Sequence, residues 1–119
     1  MRRGLLAAAL LASCAPLGPR PDSLDGAVAA VIVEGSPQSR AALLQAVTDA
    51  LGQEPLLADD ALTRDSALLI ERRHLEGREH ASPERFLLFK AGARCVLVYE
   101  RTGQRSPLVA TRCAEAPAR

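Results

Sequence analysis

The first fourteen residues carry the pattern that most constrains what the rest of the chain can form. Two arginines precede an apolar stretch from Gly4 to Ala12, and Ser13 and Cys14 follow it. A charged start, a short apolar run and a small-residue end are typical of a secretory signal peptide. The apolar stretch has nine residues, whereas a membrane-spanning helix needs about 20. We therefore expect residues 1–13 to be removed on export, which leaves 106 of the 119 residues to fold.

The residues Leu11-Ala12-Ser13-Cys14 resemble the lipobox of bacterial lipoprotein precursors. The resemblance implies that the Cys14 thiol receives a diacylglycerol, that a peptidase cleaves before Cys14, and that the new amino group is acylated, for example with palmitate. Two or three acyl chains anchor a protein stably because each buried methylene contributes about 0.8 kcal/mol. Ala15, and not aspartate, follows the cysteine. In a bacterium with two membranes this implies an outer-membrane lipoprotein that faces the periplasm.

Two other interpretations of the leader stay open at this point. Ordinary cleavage without a lipid needs a small-x-small site, and residues 12–14 and 13–15 both offer one, the second with Pro16 directly after the cut. An uncleaved anchor would need a longer apolar stretch. Lipidation accounts best for the order of the residues.

The chain has three cysteines, an odd number that requires an explanation in an exported protein. If Cys14 carries the lipid, Cys95 and Cys113 remain, and export places both in an oxidising compartment. We expect a disulfide between them, which closes a loop of about 18 residues and stabilises the fold by about 3 kcal/mol. The alternatives are two buried free thiols or a metal pair, and a metal pair lacks further ligands at the usual short spacing.

Size and charge narrow the class of protein further. The exported part is long enough for one domain but not for two. The chain has 15 basic and 14 acidic residues, and removal of the two leader arginines leaves 13 against 14, a net charge of −1. A near-neutral chain has no long-range attraction for nucleic acid, so we do not expect nucleic-acid binding.

The N-terminal half has clear local signals. Residues 14–26 are rich in proline and glycine, which predicts a flexible linker after the lipidated cysteine. Residues 27–33 form an uncharged, largely β-branched run that predicts a central strand. Ser36 then fits a helix N-cap, Pro37 the first helical position and Gly52 the C-terminal cap.

The remaining segments are predicted to be mostly strands. Residues 56–58 are expected to form a short strand and residues 67–75 a longer one, and residues 76–84 form a solvated loop. Three strand segments joined in hairpin style follow, with glycine in both joints: 85–90, 94–101 and 107–113. In the second hairpin we expect Cys95 to lie opposite residue 112 or 113.

Together these elements predict an α+β domain over residues 27–113. One main helix packs on a mostly antiparallel sheet of about four to five strands, in the order strand, helix, strands. Residues 114–119 are expected to form a frayed tail.

Two polar clusters contain residue types that bind metal ions. The first contains His74, Glu76, Glu79 and His80, which supply ligand types that Zn²⁺ accepts. Its spacing matches no familiar zinc pattern and Gly77 predicts a turn, so a solvated loop is favoured. Asp59, Asp60 and Asp65 offer carboxylates to Ca²⁺, but the glycine and distal glutamate of an EF-hand loop are missing.

No nucleophile elbow or phosphate-binding loop is present in the sequence, so we predict no catalytic residue and no cofactor. The sequence favours a non-enzymatic envelope lipoprotein that binds another envelope component, protein or glycan. The main alternative is a small tethered inhibitor of a protease or lysozyme that presents residues 76–84. A metal-dependent enzyme, with its metal at the His74/His80 loop, is the third hypothesis.

Overall fold

One helix packs across an antiparallel sheet in the computed structural model, which describes residues 20–71 and 82–118. The chain forms β1 (Val28–Val33), α1 (Pro37–Leu51), β2 (Ala67–Ile70), β3 (Glu84–Ala91), β4 (Arg94–Tyr99), β5 (Gln104–Pro107) and β6 (Arg112–Glu115). The predicted α+β class and the order strand, helix, strands are confirmed. The described residues form six strands, where four to five were expected.

Helix α1 begins and ends where its local signals predict. Ser36 has extended backbone angles, and its side-chain oxygen accepts a hydrogen bond from the Ser39 amide at 3.0 Å. The Ser39 hydroxyl oxygen accepts one in return from the Ser36 amide, also at 3.0 Å. This reciprocal pair satisfies donors that the first helical turn would otherwise leave unpaired. Gly52 ends the helix at a φ of 83°, a left-handed conformation that glycine adopts without strain.

The sheet has the strand order β5-β4-β3-β1-β6, and β2 pairs with β3 outside that path. A two-residue turn at Gly92, whose φ is +64°, joins β3 to β4 and sets the pairing of Ala91 with Arg94. One edge of β3 serves two partners, since β2 pairs along its first half and β1 pairs near its end.

Strand β1 changes partner along its length. Ala29 pairs with Phe89 of β3, whereas Ile32 pairs with Cys113 of β6. The edge of β1 that pairs with β3 at Ala29 is no longer paired with β3 at Ile32. There the Ile32 amide donates a hydrogen bond to the Leu62 carbonyl at 2.7 Å. The segment before β2 therefore completes the hydrogen bonding of β1.

Alternation along the strands gives the sheet two faces. We call the face against α1 the inner face; it carries the core residues Ala30, Ile32, Phe86, Leu88, Cys95, Leu97, Tyr99 and Cys113. Leu43, Ala46 and Val47 of α1 pack on it. The opposite, outer face carries Leu87, Phe89, Val96 and Val98 in β3 and β4.

Three predicted strand boundaries are wrong in their details. Residues 56–58 form no strand and instead line a cleft beside α1. Residues 107–113 are not one strand: β5 ends at Pro107, and a turn with Ala110 at a φ of 49° separates it from β6. Strand β4 ends at Tyr99, before the predicted boundary at residue 101.

The broken strand also changes the position of Cys95. The Leu108 amide donates to the Cys95 carbonyl at 2.9 Å, so Leu108, and not residue 112 or 113, lies opposite Cys95. Strand β6 is not a continuation of β5 and pairs with β1.

The ends of the domain extend beyond their predicted limits. Strand β6 continues to Glu115, and the Ala116 amide donates to the Ala29 carbonyl at 2.8 Å, so the first residues of the expected tail belong to the sheet. Residues 20–26 of the expected linker form turns and contact β4 and β5. Of the long strand predicted at 67–75, residues 67–70 form β2, and residues 72–75 lie outside the described part.

Candidate functional site

The candidate site is a cleft between α1 and residues 54–63, with a volume of about 240 Å³. Its lining is mostly apolar and combines the helix, β1 and the crossing segment: Ile32, Leu43, Leu44, Pro55, Leu57, Ala58 and Ala61. Arg40, Glu54 and Asp59 contribute charged groups to the same lining. A concave, apolar site with a few polar groups is the usual form of a binding pocket.

The wall formed by residues 54–63 is fixed by backbone hydrogen bonds. The Thr63 amide and hydroxyl both donate to the Asp60 carbonyl, at 3.0 and 2.7 Å. Leu62 is buried at a φ of 62°, an uncommon conformation for a leucine. The hydrogen bond from Ile32 to the Leu62 carbonyl holds it there. The cleft therefore has one wall on the helix and a second wall attached to the sheet.

Two side chains at the cleft differ sharply in exposure. Leu56 is 97 % exposed, which is unusual for a large apolar side chain beside an apolar cavity. Ser39 is buried, and its hydroxyl donates to the Ser36 carbonyl at 3.1 Å in addition to its capping role. Because Ser39 is committed to the helix cap, the cleft offers an apolar surface and no activated serine.

A buried carboxylate network lies at the start of β3. Glu84 is 3 % exposed and accepts a hydrogen bond from the Tyr99 hydroxyl at 2.6 Å. Arg101 binds both oxygens of the same carboxylate at 3.0 Å each. The Tyr99 ring also stacks on Phe86, with centroids 4.8 Å apart.

Burial and the neighbouring Glu84 carboxylate raise the pKa of Tyr99, because both disfavour the charged phenolate. The hydrogen bonds and charge of Glu84 raise the pKa of the Arg101 guanidinium. This arrangement holds a neutral phenol, a carboxylate and a guanidinium in one fixed geometry, and it ties β3 to the end of β4.

The predicted pair Cys95 and Cys113 is confirmed as a disulfide, with Cα atoms 6.0 Å apart. Both residues lie on the inner face, one on β4 and the other on β6. Since β3 and β1 separate these strands in the sheet order, the sheet must curl for the two sulfurs to meet. The disulfide therefore fixes that curl.

Other predicted site residues fall into two groups. Cys14 and the cluster of His74, Glu76, Glu79 and His80 lie outside the described residues, as does most of the loop 76–84. Asp59, Asp60 and Asp65 are described but are not brought together. Over residues 20–71 and 82–118 no group of three or more His, Cys, Asp or Glu side chains could hold a metal ion.

Sequence reasoning missed the Glu84, Tyr99 and Arg101 network, although a signal for it existed. Counting back from the two-residue turn at Gly92 pairs Phe86 with Tyr99 and, two residues further, Glu84 with Arg101. An acid opposite an arginine at that position predicts an ion pair. The cleft had no such signal, because it depends on how residues 54–63 cross the helix.

Comparison with known proteins adds no assignment: no protein-family model, curated protein or solved structure matches this chain. Within the described residues, no helix is long and apolar enough to cross a bilayer.

Proposed function

We propose that this chain is a lipid-anchored protein of the bacterial envelope whose α+β domain is a non-enzymatic binding module. The observation that supports the proposal best is the Cys95–Cys113 disulfide. It accounts for two of the three cysteines and suits a protein of an oxidising compartment. The third is Cys14, the cysteine of the lipobox-like sequence.

The cleft between α1 and residues 54–63 is the proposed binding surface. Its lining is mainly aliphatic and contains no aromatic side chain on which a sugar ring could stack. We therefore favour a protein partner over a glycan. The exposed Leu56 side chain would be covered when an apolar segment of that partner enters the cleft.

The anchor is tested by mass spectrometry of the mature protein isolated from its native host. We expect a chain that begins at Cys14 and carries acyl chains, found in the membrane fraction. The Cys14→Ser variant should lack the lipid and leave that fraction. A native protein with an unmodified Cys14 thiol would contradict the proposal.

The binding role is tested with a photo-crosslinking amino acid placed at Leu56 in the acylated protein. We expect a defined cross-linked product in the native envelope, and none from the same amino acid at Thr102 in the β4–β5 turn. Leu44→Glu, which puts a charge into the cleft, should abolish the product from Leu56. Equal products at both positions would contradict a cleft-directed interaction.

A further inference from the structure

Residues 20–26, just beyond the lipobox, belong to the folded domain. Arg94 of β4 donates a hydrogen bond to the Arg20 carbonyl, and Arg105 of β5 donates one to the Asp22 carbonyl at 3.3 Å. Within the segment the Ser23 amide donates to the Arg20 carbonyl and the Ala27 amide to the Leu24 carbonyl, both at 3.0 Å. Two turns and two long-range contacts thus hold the segment in place.

The docked segment lies on the outer face of the sheet. Strand alternation puts Arg94, Val96 and Val98 on that face, and Arg105 pairs with Val98. Val96 is fully buried although α1 packs on the opposite face. Arg94 and Arg105 hold residues 20–26 on this same face.

Docking shortens the connection to Cys14. If the segment were free, thirteen residue steps would separate Cys14 from Ala27 and could span about 45 Å. Docking at Arg20 leaves six residue steps, which span about 20 Å at most. The sheet and helix layers together are also about 20 Å thick. Six steps starting at the outer face therefore leave no spare length for a path around the sheet edge to the α1 side.

We propose that the outer face around Arg20, Arg94 and Arg105 lies against the lipid surface that anchors the protein, and that the cleft consequently faces the aqueous side. This inference rests on the proposed acylation of Cys14. The three guanidinium groups suit anionic lipid headgroups, which attract arginine within a Debye length. The Arg20 side chain is 81 % exposed, and its Nε lies 4.0 Å from Asp22 Oδ1, so Asp22 offsets one of the three positive charges.

The orientation has a consequence for the partner. With the outer face against lipid, the cleft on the α1 side is reached from solution. The partner is then a protein segment that extends from the aqueous compartment, within about one domain thickness of the bilayer, and not a membrane-embedded helix.

The orientation is tested with energy transfer to acceptor lipids in vesicles that contain anionic phospholipid. The protein is the mature acylated chain, with its acylation verified by mass spectrometry. A fluorescent amino acid replaces either Ala93, an exposed turn residue beside Arg94, or Gln53, an exposed residue after α1. We expect stronger transfer from position 93 than from position 53.

A matched double variant separates docking from anchoring alone. Arg94→Gln with Arg105→Gln releases residues 20–26, so transfer from the two positions should become similar while the protein stays on the vesicles. Equal transfer from both positions in the otherwise unchanged protein would overturn the orientation but leave the lipid anchor standing. A mature protein without acyl chains would overturn both the anchor and the orientation.

Discussion

Helix α1 and strand β6 are held in the fold by different kinds of interaction. The boundaries of α1 are set by residues within one short stretch, namely Ser36, Ser39 and Gly52. Strand β6 takes its position from β1, about 80 residues earlier in the chain, and from the disulfide to Cys95. The comparison shows that a helix with strong local signals can be located from sequence, whereas a strand fixed by distant partners cannot. It also predicts that the two elements respond differently to mutation.

The largest effect is expected from the packing of α1, since the caps set only its ends. Leu43 is 3 % exposed in the core, so Leu43→Ala should lower the free energy of unfolding by about 2–5 kcal/mol. Urea denaturation followed by circular dichroism measures the change. Leu69→Ala is the matched control. Because Leu69 is 60 % exposed on β2, this variant should lower the free energy of unfolding far less. Similar losses in both variants would show that α1 packing does not dominate the core.

Removal of the disulfide tests the other half of the comparison. Cys95→Ala with Cys113→Ala opens a loop of 18 residues and should lower the free energy of unfolding by about 3 kcal/mol. We expect the β6 amides, such as that of Ala114, to lose more hydrogen-exchange protection than the α1 amide of Val47. Chemical reduction of the unmodified protein should reproduce the pattern. Equal loss in both elements would mean that β6 needs no covalent link to keep its place.

The helix cap gives a smaller and more local effect. Ser36→Ala removes the oxygen that accepts from the Ser39 amide, so the free energy of unfolding should fall by about 1 kcal/mol. Ser23→Ala is a suitable control, because its hydroxyl oxygen accepts from the Asp25 amide in an exposed turn. The first-turn amides of α1 should exchange faster only in the Ser36 variant. An unchanged exchange rate there would show that tertiary packing alone fixes the start of the helix.

The same contrast explains how much of the molecule could be predicted from sequence. Glycine at positions 92 and 103 marked both hairpin turns, because their positive φ values suit glycine. The separation of residues 107–113 into two strands depended on β1 having a free edge for β6, which no local pattern reveals. The cysteine pair was predicted from compartment and parity, but its geometry was wrong, since Cys95 lies opposite Leu108. The cleft could not be predicted either, because it depends on how residues 54–63 cross the helix, which no local pattern reveals.

The smallest effect concerns the network that ties β3 to β4, and it appears only at alkaline pH. Tyr99 is the single tyrosine of the chain, so tyrosinate absorbance reports it alone. Burial and the Glu84 carboxylate raise its pKa above 10.0, so the titration midpoint of the folded protein should exceed that of the unfolded chain. Glu84→Gln removes the negative charge and should move the midpoint downward, while burial keeps it raised.

The shift also fixes the sign of a stability change. Between the unfolded and folded pKa values of Tyr99 the unfolded state has lost its proton and the folded state has kept it, so stability falls as pH rises through that window. Below the unfolded pKa the contribution of Tyr99 is fully present. Tyr99→Phe should remove this slope, and urea denaturation at several alkaline pH values measures it. A folded midpoint at or below 10.0 would mean that the Arg101 guanidinium outweighs both burial and Glu84, so that the network would favour the phenolate.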